Sequence, residues 1–502
     1  INPDIYFVSP TPDPDDYINE DYAYINVTAM DTNNITAFID WNNSLIGWWR
    51  FNEGSGNIAY DSSSYSNDMT VYVYNESMDN WTTGKFGKAL QFDGSNDYVE
   101  RSFDTDFTPG TSSWTIEGWV KFPEGDTGRM IVNWYRCGAN PSCGGADSAS
   151  YRLYIDGFNK ANWYVRDDNA NLEIITSSFS VADNYWHHIV GSFDPTNDLR
   201  KLYVDGIEVN SSSAVITSFS DGGLSIPLSI GRHFITGWGS PSSYFNGTID
   251  EVKIWNRALT AEEINASYNA GIYRLETNYT NLDEGTYDYT AYAQDLAGNF
   301  NNTETRTITI DTINPDIYFV SPTPEPDEYR NEDYAYINVT STDTNNITAF
   351  IDWNNSLVGW WRFDNSSDLS DHSTYSNDGT NAGTTYTESG KFGGARVFNG
   401  VDNSVGISHS NSLTFGASTD FSFEAWFKSP GSAFTQTIID TRDSSSAWQG
   451  VGVTLGVANV GFFIQDYQTD SISGGSSGDY NDNSWHHVTL VADRDGTAKI
   501  YV

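Results

Sequence analysis

Four of the seven histidines stand in a repeated triplet, Trp186-His187-His188 and Trp485-His486-His487. An imidazole does catalytic work only beside a nucleophile, a metal or an acid partner. No His-Glu-x-x-His or phosphate-binding loop accompanies these. Both triplets fall in the phase of an alternating strand, which reads as histidines packed or hydrogen-bonded in place. Cys137 and Cys143 bracket Cys-Gly-Ala-Asn-Pro-Ser-Cys, with no further Cys in the chain and no paired His nearby. Zinc needs four ligands, so a loop disulfide in an oxidising compartment is the expectation. Asn-x-Ser/Thr acceptors occur at Asn26, Asn34, Asn42, Asn75, Asn80, Asn210, Asn246, Asn265, Asn278, Asn301, Asn338, Asn346, Asn354 and Asn365. Their density favours a secreted glycoprotein, although a sequon only permits modification.

These groups sit on a strongly acidic chain. Lys plus Arg number 25 against 67 Asp plus Glu, a net charge of −42. Such a polyanion excludes nucleic-acid binding by counterion release and attraction to an anionic membrane. The same acidity also fits a halophile's solubility strategy. No run of eighteen apolar residues is present, so no segment reads as a membrane span. Aromatics at 15 %, with 17 Trp and 31 Tyr, point to an all-β chain with a substantial core. At roughly 100–200 residues per domain, 502 residues imply three or four domains.

Repetition organises them. Residues 1–51 return at 313–363, differing at Asp13/Glu325, Asp16/Glu328, Ile18/Arg330, Ala29/Ser341, Met30/Thr342 and Ile46/Val358. Beyond that block the copies stay alignable with shortening loops: Lys85-Phe86-Gly87 with Lys391-Phe392-Gly393, Trp119 with Trp426, Leu202-Tyr203-Val204 with Ile500-Tyr501-Val502. The period far exceeds that of a solenoid and describes whole domains in tandem. The second copy stops partway at Val502, so the sequence reads as a segment of a longer repeating protein.

Short alternating strands between Gly, Asn, Asp and Ser turns fill 45–271, among them Trp114–Val120, Tyr151–Ile155 and Lys201–Val204. One helical turn is expected late, where Thr260 can cap Ala261-Glu262-Glu263-Ile264 with an acid at its third position. Gly47-Trp48-Trp49-Arg50-Phe51, Phe92-Asp93-Gly94, Trp186-His187-His188, Leu202-Tyr203-Val204-Asp205-Gly206 and Ile249-Asp250-Glu251-Val252-Lys253-Ile254-Trp255-Asn256-Arg257-Ala258-Leu259 resemble the laminin-G-like, concanavalin-A-like jelly roll. Residues 358–502 resemble the same fold. The flanks differ. Strands at 4–8, 23–27 and 35–39 are too few for a sandwich, and further strands follow at 273–276, 287–293 and 305–310. Together they make one immunoglobulin-like sandwich, and Leu282 to Tyr287 resembles its tyrosine corner. The expected organisation is a discontinuous sandwich (1–44 plus 273–311) interrupted by a jelly roll (45–271), then 313–357 and 358–502 as the second copies. Beads on a string are the competing arrangement.

The jelly-roll resemblance implies more. Such domains often carry structural calcium, which takes six to eight oxygens. The candidates are Asp61 with Asn67, Asp93 with Asp97, and Asp250; the turns recur as Asp371 with Asn377, and as Asn399, Asp402 and Asn403 with less charge. Relatives of this fold also include glycoside hydrolases, whose chemistry needs two carboxylates. Glu117 and Glu424 match one another and Glu251 is the candidate second acid, but nothing in the sequence gathers them into a cleft. Carbohydrate recognition needs exposed aromatic platforms, and Trp134, Tyr135 and Trp238 are the loop-borne candidates. Modules of these kinds occur together in bacterial and archaeal surface proteins. The expected function is therefore a non-enzymatic cell-surface fibre or stalk with adhesive use, contacting copies of itself, other surface proteins or glycans. A lectin-like adhesin is the alternative, and an accessory module of a glycan-active enzyme is the weakest.

Overall fold

The structure, a computed structural model, describes residues 2–31, 35–73, 80–102, 104–124, 129–135, 150–169, 171–213, 219, 227–233, 243–268, 273–345, 347–387, 389–416, 418–431, 434–442, 450–457, 459–465, 471–494 and 496–502. The protein is all-β, with one α-helix, Ala261–Tyr268, among the described residues. No helix there is long and apolar enough to cross a membrane. The chain divides into two compact units, residues 1–15 with 20–310, and residues 16–19 with 311–502.

In the first unit, two eight-stranded sheets face one another. One centres on Arg129–Tyr135 and Ser150–Ile155 and ends at Leu172–Ser180. The other runs Ile207–Ser212, Leu199–Val204, His187–Asp194, Trp114–Lys121, Asn246–Trp255, Lys88–Asp93, Trp81–Thr83, with Leu45–Trp49 also paired to Asn246–Trp255. The first and last long strands of the jelly roll are thus neighbours. Between the sheets lies a core that includes Trp49, Ile116, Trp163, Ile189, Val252 and Ile254. Alternation along each strand supplies this inner face.

The flanks pair with each other. Tyr22–Met30 runs antiparallel to both Asp4–Phe7 and Tyr273–Thr280. Ile35–Trp41 pairs with Gly285–Asp295 from Tyr289↔Trp41 to Asp295↔Ile35, and Gly285–Asp295 also pairs with Arg306–Ile310. Strands on either side of the jelly roll in sequence therefore share both of these sheets. The Tyr287 hydroxyl donates to the Asp283 carbonyl at 2.9 Å, fixing the corner where one strand ends and the next begins.

In the second unit, described strands include Phe421–Lys428 paired with Trp485–Ala492, and a four-stranded sheet from Gln436–Asp440 to Ser471–Gly475. A smaller core gathers Val453, Leu455, Val460 and Leu490.

Candidate functional site

One strand concentrates the polar chemistry of the first unit. Asn246–Trp255 pairs with Trp114–Lys121 so that Lys253 lies opposite Glu117 and Asp250 opposite Trp119. Three residues on one strand thus span four on the other, a β-bulge, and Glu251 takes it up at φ 50°. Because of the extra residue, Ile249, Val252 and Ile254 all keep to the inter-sheet core. Asp250, Glu251, Lys253 and Trp255 are left to the outer face, which the flanking sandwich and the helix cover.

Each buried charge on that face is answered by a specific partner. Glu117 Oε1 accepts from Lys253 Nζ at 2.8 Å and from Ser267 Oγ at 3.0 Å, and its Oε2 lies 3.2 Å from His188 Nε2. Burial works against ionisation, but the Lys253 ammonium and the His188 hydrogen bond outweigh it and hold the Glu117 carboxyl far below the usual range. Trp119 stacks on His188 at 5.1 Å and on Tyr268 at 5.5 Å, sealing the group from water. Glu251 accepts from the Trp48 indole at 2.6 Å and from Gln294 Nε2 at 2.7 Å. Asp250 Oδ2 accepts from the backbone N–H of Lys85 at 2.8 Å and of Phe86 at 3.0 Å, while its buried Oδ1 meets no donor. Burial, then the adjacent Glu251, push Asp250 well above its ordinary value.

The same seam joins jelly roll to sandwich. Phe38 meets Trp48 at 5.2 Å, Trp255 at 5.5 Å and Tyr292 at 5.2 Å. Arg257 holds Glu263 through two hydrogen bonds of 2.7 and 2.8 Å and reaches Ser44 Oγ at 2.8 Å and the Ile39 carbonyl at 3.1 Å. Glu263 is itself the third residue of the helix cap: its N–H donates to Thr260 Oγ1 at 3.2 Å, and its Oε2 accepts from Thr260 N at 2.9 Å. Arg50 donates to the Gly298 carbonyl, and Gly87 N to the Leu296 carbonyl at 3.0 Å.

Glu117 and Glu251 are therefore not a hydrolytic pair. Both are fully enclosed, and their oxygens are held by protein donors, leaving no opening for a glycosidic bond. His187 is likewise held, with Nδ1 2.8 Å from Asp205 and Nε2 3.1 Å from Asp183.

The calcium candidates lie in separate turns. Asp61 accepts from Trp48 N, Ser63 N, Ser63 Oγ and Asn67 N at 2.7–2.9 Å, and Asp371 accepts from the matching groups at 2.7–2.9 Å. Asn67 spends its amide on the Ile46 carbonyl. Asp93 Oδ1 accepts from Ser95 N and Asn96 N, and Asp97 Oδ2 from Asp93 N and Asn80 Nδ2. In the second copy, Asn399 Oδ1 accepts from Val401 N and Asp402 N, and Asn403 Oδ1 from Asn399 N. In this turn a neutral amide thus performs the same duty as the carboxylate of Asp93, which marks that oxygen as a turn acceptor facing N–H groups. Among the described residues, no three His, Cys, Asp or Glu side chains gather where they could hold a metal.

The aromatic platforms need correction. Trp134 is the penultimate residue of the strand Arg129–Tyr135, has no exposure, and stacks on Tyr151 at 5.3 Å and 8°. Tyr135 is also buried and lies under the Arg152 guanidinium at 4.8 Å. Both are core residues. Trp238, Cys137 and Cys143 lie outside the described residues. Among the sequons, Asn26 is fully buried and donates Nδ2 to the Ser9 carbonyl at 3.2 Å, so no sugar fits on it in the folded strand. Asn42, Asn210, Asn265, Asn278, Asn354 and Asn365 are exposed, and Asn80, Asn246, Asn301 and Asn338 are half-buried. Asn34, Asn75 and Asn346 lie outside the described residues.

Known proteins resemble parts of this chain. The binding domain of Paraclostridial Mosquitocidal Protein 1 aligns over 45 % of this chain and 52 % of its own, with 14 % identity and a TM-score of 0.35. Domain 4 of AbnA, an extracellular arabinanase from Geobacillus stearothermophilus, aligns over 45 % of this chain and 98 % of its own, with 19 % identity and a TM-score of 0.33. Adhesion G-protein coupled receptor D1 of Homo sapiens is 33 % identical over 109 residues, which is 22 % of this chain and 12 % of the receptor. The model of the Laminin_G_3 family matches residues 93–265 and 399–502, more than half of the sequence. With both of its jelly-roll segments matched, the chain belongs to the concanavalin A-like lectin/glucanases superfamily.

Proposed function

We propose that this chain is a segment of an extracellular surface protein in which jelly rolls are carried on an immunoglobulin-like shaft, serving as a fibre or stalk with adhesive use. The observation that carries this reading is the buried seam in the first unit. Phe38, Trp48 and Trp255, buried side chains, fasten the jelly roll to the sandwich together with the partly buried Arg257, whereas a display module on a flexible tether needs no such contact. Enclosure of Glu117 and Glu251 supports a non-enzymatic role. The near-identity of 1–51 and 313–363 supports a shaft built by repetition. Exposed sequons and the −42 charge suit a solvated surface.

A lectin-like adhesin is the second reading, favoured by the family match and by the likeness to an adhesion receptor. Electron microscopy of the native assembly separates the two. Filaments with a regular domain repeat and lateral bulges are expected. Isolated particles that bind a defined oligosaccharide would establish the lectin.

A further inference from the structure

The other sheet of the first jelly roll carries a polar row of its own. Tyr151, Leu153, Trp163, Val165 and Ile175 enter the inter-sheet core. Arg152, Tyr154, Tyr164 and Ile174, one residue out of phase, take the opposite face. Arg152 lies across from Tyr164, and Tyr164 across from Ile174, on three neighbouring strands. Ile174 is 43 % exposed, while Arg152 and Tyr154 are half-buried.

Arg152 is the exception in how it is answered. Its guanidinium packs on the Tyr135 ring at 4.8 Å and on the Tyr164 ring at 4.0 Å, which fixes its plane. Among the described residues its N–H groups make no hydrogen bond and reach no carboxylate, and Nε is buried without an acceptor. Other arginines of this unit have their acids: Glu263 for Arg257, Glu100 for Arg232, Asp104 for Arg101. Arg166 on the next strand adds like charge beside Arg152. His233 sets its ring against Tyr135 at 5.7 Å, and its buried Nε2 meets no partner. Burial, then Arg152, push His233 down to about 4, so at neutral pH it is an uncharged donor or acceptor. The hydroxyls of Tyr154 and Tyr164 also make no hydrogen bond among the described residues.

Unpaired N–H groups on a partly desolvated cation call for an anion. The fork of a guanidinium matches a planar carboxylate through two parallel hydrogen bonds. The tyrosine hydroxyls beside it suit the hydroxyls of a sugar, and Ile174 offers an apolar surface to ring C–H groups. Ser150–Ile155 and Lys160–Arg166 are each paired on both sides, so this face leaves no backbone groups open to an extended peptide. We propose that Arg152, with Tyr154, Tyr164 and His233, binds the carboxylate-bearing ring of an acidic saccharide. The inference rests on the lectin-like reading and narrows it to charged glycans held without a metal.

The test titrates the full 502-residue chain in EDTA with an oligomer of glucuronic acid and with a sialylated oligosaccharide, each beside its carboxyl-reduced counterpart. Saturable binding of at least one acidic probe is expected, and which of the two binds separates a uronic from a sialic acid. The reduced counterpart should bind roughly tenfold or more weakly, and Arg152→Gln should produce the same loss. Tyr154→Phe, which removes only a half-buried hydroxyl, should weaken binding by about threefold. Circular dichroism checks both variants, and if Arg152→Gln does not fold, Tyr154→Phe decides. Equal binding of acidic and reduced probes overturns the inference and leaves the lectin reading standing. Failure of both acidic probes to bind overturns it, as does binding indifferent to Arg152→Gln. Arg152-dependent binding of a Glu-rich peptide in preference to either saccharide overturns it too.

Discussion

Asp250 shows what burial does to a single acid. Its Oδ2 is held by two backbone N–H groups while Oδ1 faces no donor, and the adjacent Glu251 adds like charge. The folded protein therefore binds a proton at Asp250 more tightly than the unfolded chain, whose carboxyl titrates near 3.8. Stability linked to that proton is fully present below the unfolded value and is lost as pH rises toward the folded one. Asp250→Asn removes the titration but retains an oxygen for the two N–H groups. The stability of the parent chain relative to this variant should fall as pH rises above the unfolded value of 3.8, by at most about 1.4 kcal/mol per pH unit. Urea melts at several pH values measure it, and a constant difference would show that Asp250 titrates as an ordinary carboxyl. Glu117 is the opposite case. Held ionised by Lys253, it contributes stability above its unfolded value that is lost on acidification.

At the scale of elements, short local patterns were legible and the residue-by-residue register between distant strands was not. Thr260 and Glu263 announce their helix because a capping box is written within four residues, and the structure forms it with both hydrogen bonds. Tyr287 announces its corner for the same reason. The pairing of Glu117 with Lys253 depends on a bulge that shifts the register by one residue, and no local pattern encodes that offset. Trp134 and Tyr135 were misread as loop platforms because turn-rich sequence follows them; in the fold they close a strand buried along its whole length. In the acidic turns charge alone does not tell whether an oxygen faces N–H groups or a metal; in the fold those of Asp61 and Asp93 accept from backbone N–H groups. A direct check is Asp93→Asn, which copies the wiring of Asn399 and should leave stability within about 0.5 kcal/mol. Asp93→Ala should cost about 1 kcal/mol by leaving two turn N–H groups without their acceptor. A large loss in the Asn variant, reversed by added calcium, would restore the metal reading.

For the first unit as a whole, the seam predicts shared stability. The strands Ile35–Trp41 and Asn246–Trp255 belong to different sheets, yet Phe38, Arg257 and Gln294 tie them through buried contacts. Hydrogen exchange should report the same opening free energy for both strands. Phe38→Ala should cost roughly 3–5 kcal/mol and separate the two values. Unequal protection in the parent chain would mean that the two parts open independently. The strand pairing also sets how tension would travel. A pull applied at Asp4 and Ile310 loads Tyr22–Met30, Ile35–Trp41 and Gly285–Asp295 first, because these strands carry the sandwich that links the two points. The residues from Leu45 to Tyr268 leave that sandwich and return to it, so they form a side branch off the line of force. While the sandwich holds, load reaches the jelly roll only through the seam at Phe38, Trp48, Trp255 and Arg257, and a ligand held on its far sheet would be sheltered from the stress on the strand path that carries it.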